Sequence, residues 1–103
     1  MYVRLVSLSG ADPHKRENAI RTMRENVVPT LRGYDGFAGY LGLYDADNGR
    51  AKGVILWESK EAAEAAEETL AERRRNMAGS VGLTIESEEL YEAPVVEVSK
   101  AQA

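Results

Sequence analysis

Residues 37–57, FAGYLGLYDADNGRAKGVILW, decide the fold. The centre of this stretch, Asp45-Ala-Asp-Asn-Gly49, gathers residues that tolerate tight-turn conformations, so the segments on either side of it read as an antiparallel hairpin. The first strand runs from Phe37 to Tyr44, with Phe37, Leu41 and Leu43 on one parity and Tyr40 and Tyr44 on the other. Gly39 and Gly42 interrupt it, which marks a bulge or the close approach of another group. The second strand runs from Ala51 to Glu58, with Gly53, Ile55 and Trp57 opposed to Val54 and Leu56. Both parities are apolar, as in strands covered on both faces.

Working outward, each side of the hairpin supplies a strand and a helix. Residues 1–10, MYVRLVSLSG, form a strand with Val3 and Leu5 on one face and Val6 and Leu8 on the other. Asp12 and Pro13 then open a helix, because an aspartate caps helix N-termini and proline fits the first turn. Its apolar stripe is Ala19, Ile20, Met23, Val27 and Leu31, and Pro29 is expected to kink its last turn. After the hairpin, Ser59 caps a second helix from residue 60 to about 78, with Ala62, Ala63, Ala66, Leu70 and Met77 as a thinner stripe. A last strand follows over roughly 83–91, and Pro94 to Val98 continue as a further extended piece. One domain over 1–98 is expected, with a flexible tail at 99–103.

The order βαββαβ predicts an α+β, ferredoxin-like domain: a four-stranded antiparallel sheet with both helices on one face. Two helices cover only one side of a sheet whose strands are apolar on both. Pairing of that second face with an identical sheet is the economical solution, so a homodimer is expected. The pattern leaves open whether the Tyr40 or the Leu41 parity faces the partner.

Composition narrows the function. The chain has 103 residues, with 13 Lys and Arg against 17 Asp and Glu for a net charge of −4. No basic field exists to hold nucleic acid, even if strand tyrosines were exposed. The absence of cysteine excludes disulfides and thiolate chemistry, and a single histidine excludes a multi-His metal centre within one chain. No apolar run reaches membrane-spanning length and no signal peptide is evident, so a cytoplasmic location is expected.

Three stretches carry a resemblance: Gly33-Tyr-Asp-Gly-Phe37, Gly39-Tyr-Leu-Gly-Leu-Tyr44, and Ile55-Leu-Trp-Glu-Ser-Lys-Glu-Ala62. Together they make the chain resemble the antibiotic biosynthesis monooxygenase family over roughly residues 2–93. The resemblance implies a ferredoxin-like unit pairing into a dimeric α/β barrel. It also implies cofactor-independent oxygenation of a small aromatic or quinol-type metabolite that itself supplies the electrons. The haem-degrading members place a Trp and a His on the second helix, where this chain has Ala66 and Asn76, and an Asn on the first strand, where it has Val6 or Ser7. Haem is therefore not implied, and no cofactor is expected. The oxidase members also use an Asn, a Trp and a Tyr; the strand-one Asn is missing here, which keeps a non-catalytic ligand-binding or structural barrel as the alternative.

Individual residues refine this. His14 is the one side chain whose ordinary pKa suits proton transfer near neutrality, and Asn76 is a second catalytic candidate. Trp57, Tyr40 and Tyr44 are the candidates for holding a small aromatic ligand, with Tyr2 able to join the tyrosine face; packing roles are the plain alternative for each. Arg4, set among apolar strand residues, needs a carboxylate such as Glu86 or Glu88, or an anionic ligand. Arg73-Arg-Arg75 reads as a solvated helix face. Glu86, Glu88 and Glu89 alternate faces, and no metal site is expected from them.

Overall fold

The computed structural model of the chain describes residues 1–99; of the expected tail, residues 100–103 lie outside the described residues. Its elements are β1 (Tyr2–Ser9), α1 (Arg16–Thr22), a π-helical turn (Met23–Val27), α2 (Val28–Arg32), β2 (Phe37–Asp45), β3 (Arg50–Trp57), α3 (Lys60–Ser80) and β4 (Thr84–Glu92). The strands form one antiparallel sheet in the order β2-β3-β1-β4. This is the α+β ferredoxin-like fold anticipated from the order of elements.

The hairpin turn closes where its residue chemistry placed it, with Asp45 opposite Arg50. Within β2 the register shifts between Phe37 and Gly39, leaving Ala38 without a partner on β3. Ser59 caps α3, its hydroxyl accepting from the Ala62 N–H at 3.1 Å. The first helix starts later than its cap suggested. Asp12 Oδ1 accepts from the N–H groups of His14 and Lys15 at 2.7 and 3.1 Å, closing a turn before α1 begins at Arg16.

Pro29 acts upstream of where a kink was expected. A proline ring presses on the carbonyl four residues earlier and offers it no N–H. The helix meets this by widening to a π turn over Met23–Val27, in which the Val28 N–H reaches back to the Met23 carbonyl. Helix geometry then resumes with Pro29 in the first turn of α2, where its missing donor costs nothing.

Partners across the ladders share a face, so the register sorts the side chains. Val6, Ile55 and Trp57 point toward the helices and meet Leu31, Ala63, Ala66 and Leu70 in the core. Burying a leucine as fully as Leu31 or Leu70 stabilises the fold by about 2 kcal/mol each. On the opposite face stand the rows Tyr91-Val3-Leu56, Glu89-Leu5-Val54-Leu41 and Ser87-Ser7-Lys52-Leu43. Nothing in the described chain covers this face, and Leu41 remains 56% exposed.

β1 and β4 slip register between Ser7 and Leu8, which leaves Glu86 without a cross-strand partner. After β4 the Ala93 N–H donates to the Met1 carbonyl at 2.9 Å, and the chain leaves the sheet. The extended piece expected from Pro94 to Val98 forms no strand within this chain, since Pro94 lacks the N–H to continue the ladder. Val95 and Val98 there are at least 80% exposed.

Candidate functional site

A cavity of about 90 Å³ lies between the helix-facing side of the sheet and the helices. Val6 and Leu8 of β1, Tyr40 of β2 and Ile55 of β3 form its floor and wall. Ala19 and Met23 close it from the first helix; Leu70, Arg74 and Met77 close it from α3. The space exists because the sheet lacks side chains at one point: Gly42 and Gly53 face each other directly across β2 and β3, and Val6 pairs with Gly53 on the other side. A Cβ at Gly53 would already contact the Tyr40 ring and hydroxyl at 3.7 Å. Tyr40 therefore leans over bare backbone.

The Tyr40 hydroxyl makes no hydrogen bond with the described residues, and burial alone pushes its pKa up. It is thus a neutral donor at ordinary pH, waiting for an acceptor. Tyr44 differs although it also lines the cavity. Its hydroxyl accepts from the Asp12 N–H at 3.1 Å and donates to the Asp12 carbonyl at 2.9 Å. That exchange fastens β2 to the loop before α1 and uses the proton a ligand would need.

Trp57 lies outside the cavity lining and is 1% exposed. Tyr34 and Phe37 meet its indole edge-on, with centroids 6.4 and 6.1 Å away. Tyr34 is fixed in turn by a 2.7 Å hydrogen bond between its hydroxyl and that of Thr69. His14 and Asn76 are exposed and lie outside the lining of the cavity. The cavity is thus brought together around Tyr40, without the histidine and without the tryptophan.

A charged cluster borders it. Arg74 is 8% exposed, contrary to the solvated face expected of Arg73-Arg-Arg75. Its guanidinium donates to both oxygens of Glu67, at 2.8 and 3.0 Å, and also to Glu88. The physical reason is helical phase: Ala63, Ala66, Leu70, Arg74 and Ala78 fall on one stripe of α3, and the middle arginine of the triplet is the one turned inward. That spacing was the available signal. Arg4 also departs from its expected partners. Its Nε lies 3.6 Å from Glu67, it makes no ion pair with Glu86 or Glu88, and the Nε is buried without a hydrogen-bond partner among the described residues. Arg74 occupies Glu88, while Glu86, displaced by the bulge, accepts from the Ser9 hydroxyl at 2.6 Å.

Burial pushes the Glu67 carboxyl up, but hydrogen bonding and charge from Arg74, with the charge of Arg4, outweigh it and hold the carboxyl below its usual value. Burial likewise disfavours the charged Arg74, yet its two carboxylates keep it protonated beyond its ordinary range. Two cations balance two anions, so the cluster anchors α3 to β1 and β4 and adds no net charge to the cavity. Among the described residues no group of three or more His, Cys, Asp or Glu is placed to hold a metal ion, and no helix is long and apolar enough to cross a membrane.

Solved structures share this architecture. A candidate antibiotic biosynthesis monooxygenase from Deinococcus radiodurans aligns with a TM-score of 0.69 at 16% identity, over 98% of this chain and 100% of that one. SnoaB, a cofactor-independent oxygenase from Streptomyces nogalater, aligns at 0.61 and 17% identity, over 92% and 95%. A dimeric ferredoxin-like protein from an uncultured marine organism aligns at 0.65 and 10% identity, over 96% and 100%. The chain has the fold of the antibiotic biosynthesis monooxygenase-like proteins. No family model matches it, and no curated protein does. At these identities the likeness speaks for architecture, and the reaction has to be argued from the cavity itself.

Proposed function

We propose that the protein is a cytoplasmic homodimer that binds a small aromatic or quinol-type metabolite in the helix–sheet cavity and oxygenates it without a resident cofactor. The observation that carries this reading is the unpaired Tyr40 hydroxyl on the wall of a mostly apolar cavity, where the polar side chains Tyr44, Lys52 and Arg74 are already hydrogen-bonded. An apolar pocket with one unpaired donor suits a flat ring bearing one oxygen: the ring replaces water, and the oxygen accepts from Tyr40. The same donor stabilises the negative charge left on a phenol oxygen when its proton departs, and the phenolate so formed is the species that gives up an electron to dioxygen. For a hydroquinone the balance closes without another reductant. The quinol and one dioxygen give a hydroxyquinone and one water, with the ring supplying every electron and proton. SnoaB, similar in architecture, is a cofactor-independent oxygenase.

Dimerisation is supported by the apolar residues of the outer face, Val3, Leu5, Val54 and Leu56 with Leu41, Leu43 and Tyr91, the last three between 46% and 56% exposed in the single chain. A similar ferredoxin-like protein is dimeric. Residues 94–98, which leave the sheet with exposed valines, are suited to reach the partner.

A second reading, a ligand-binding barrel without turnover, is favoured by the placement of His14 and Asn76 away from the cavity, which leaves it no side chain that titrates near neutrality. Oxygen uptake measured with a panel of quinols and hydroxylated aromatics separates the two. The first reading predicts consumption that saturates with substrate and weakens in Tyr40→Phe. Tight binding with no oxygen consumed across the panel would establish the second.

A further inference from the structure

We propose that Met23 sets the size class of ligand the cavity accepts, restricting it to single-ring phenols and quinols. This rests on the reading of the cavity as the ligand site. The hollow above the Gly42–Gly53 pair is filled from two directions. Tyr40 leans over Gly53, and Met23 lays its sulfur so close to Gly42 that a Cβ there would overlap it. What remains is about 90 Å³. A dry cavity of roughly 150 Å³ holds benzene. A single ring is therefore accommodated more readily once a lining side chain yields.

Met23 and Met77 are the half-buried, unbranched apolar side chains of the lining, and Met23 is the one that rests on the glycine pair. Val6, Ala19, Leu31, Ile55 and Leu70 are at most 4% exposed and locked into the core, so moving any of them opens the fold. Met23 is half-buried, unbranched and flexible at three torsions. It also begins the π-helical turn, where the backbone is wound more loosely than in the flanking helix. Swinging its thioether off Gly42 makes room for one ring beside Tyr40. A second fused ring would have to displace the core residues as well, and the cavity rejects it.

Methionine methyl groups report on this directly, because the chain has three methionines and two of them, Met23 and Met77, line the cavity while Met1 does not. The probes are 4-methylphenol and 2-naphthol, titrated into protein carrying carbon-13 on its methionine methyls. The expected result is that 4-methylphenol shifts Met23 and Met77 but not Met1, and that 2-naphthol binds at least tenfold more weakly. Met23→Ala should bind 2-naphthol at least tenfold more tightly than wild type. Gly42→Ala, whose methyl would take the space the thioether has to vacate and press on the Tyr40 ring, should weaken 4-methylphenol by a similar factor. Equal wild-type affinity for the two phenols overturns the size limit while leaving the cavity as the ligand site. Absence of any shift at Met23 and Met77 with either phenol overturns both. The wild-type ratio and the Gly42→Ala variant decide the matter even where Met23→Ala fails to fold.

Discussion

Tyr40 and Arg74 both border the cavity, and their chemistry differs because their partners differ. Tyr40 has burial and no hydrogen bond; Arg74 has burial and three. Tyr40→Phe should leave the fold intact and weaken phenol binding by roughly fivefold, the value of about 1 kcal/mol for one hydrogen bond, as read by calorimetric titration. Arg74→Ala should instead lower stability by about 3 kcal/mol in urea unfolding, because it strands Glu67 against Glu88 with only the Arg4 charge nearby. The same cluster fixes an acid limit. Since the folded state holds the Glu67 pKa below its unfolded value, the stabilisation is complete above the ordinary glutamate range and lost as pH falls through the lowered value. Unfolding midpoints followed downward from pH 6 should fall more steeply in wild type than in Glu67→Gln. Arg74 was hidden in the sequence because an arginine triplet on a charged helix matches a solvated face equally well. Only the 63-66-70-74-78 spacing distinguishes the middle residue. The free state of Tyr40 was not legible at all, since whether a hydroxyl finds a partner depends on loops such as the one that satisfies Tyr44.

At the scale of elements, the stretches that looked like a family signature turn out to build the frame. Tyr34 and Phe37 grip Trp57, and Gly36, at φ +81°, turns the chain so closely under α3 that a Cβ would lie 2.5 Å from that of Ala62. Gly36→Ala should therefore cost more than 1 kcal/mol from backbone strain and overlap together, measurable as a lowered urea midpoint with unchanged slope. This explains why the stretches around Gly36 and Trp57 announce the architecture and not the reaction: their residues are spent on packing, and the remaining stretch, which carries Tyr40, is the one that brings hydroxyls to the cavity. The hairpin and the Ser59 cap were legible because turn and cap chemistry is local. The π turn was not. A stripe of Ala19, Met23, Val27 and Leu31 steps by four throughout, which suits an α-helix and a slightly widened one alike, and Pro29 was the only trace of the difference.

For the whole molecule, the fold was readable from the order of elements, whereas the direction each strand face takes was not, because both parities are apolar. The register resolves it: Tyr40 faces the helices and Leu41 faces outward with Leu5 and Val54. Leu41→Asp should then shift the protein from dimer to monomer in native mass spectrometry, toward the 11.3 kDa of one chain, while Tyr40→Phe stays dimeric. A Leu41→Asp protein that remains fully dimeric would move the interface elsewhere. Oxygen transfer inside the cavity is open to a direct test with labelled dioxygen. Turnover of a single-ring quinol under oxygen-18 should place one labelled atom in the hydroxyquinone and the other in water. Product without the label, from dehydrogenation alone or from solvent addition, would show that the cavity does not transfer oxygen.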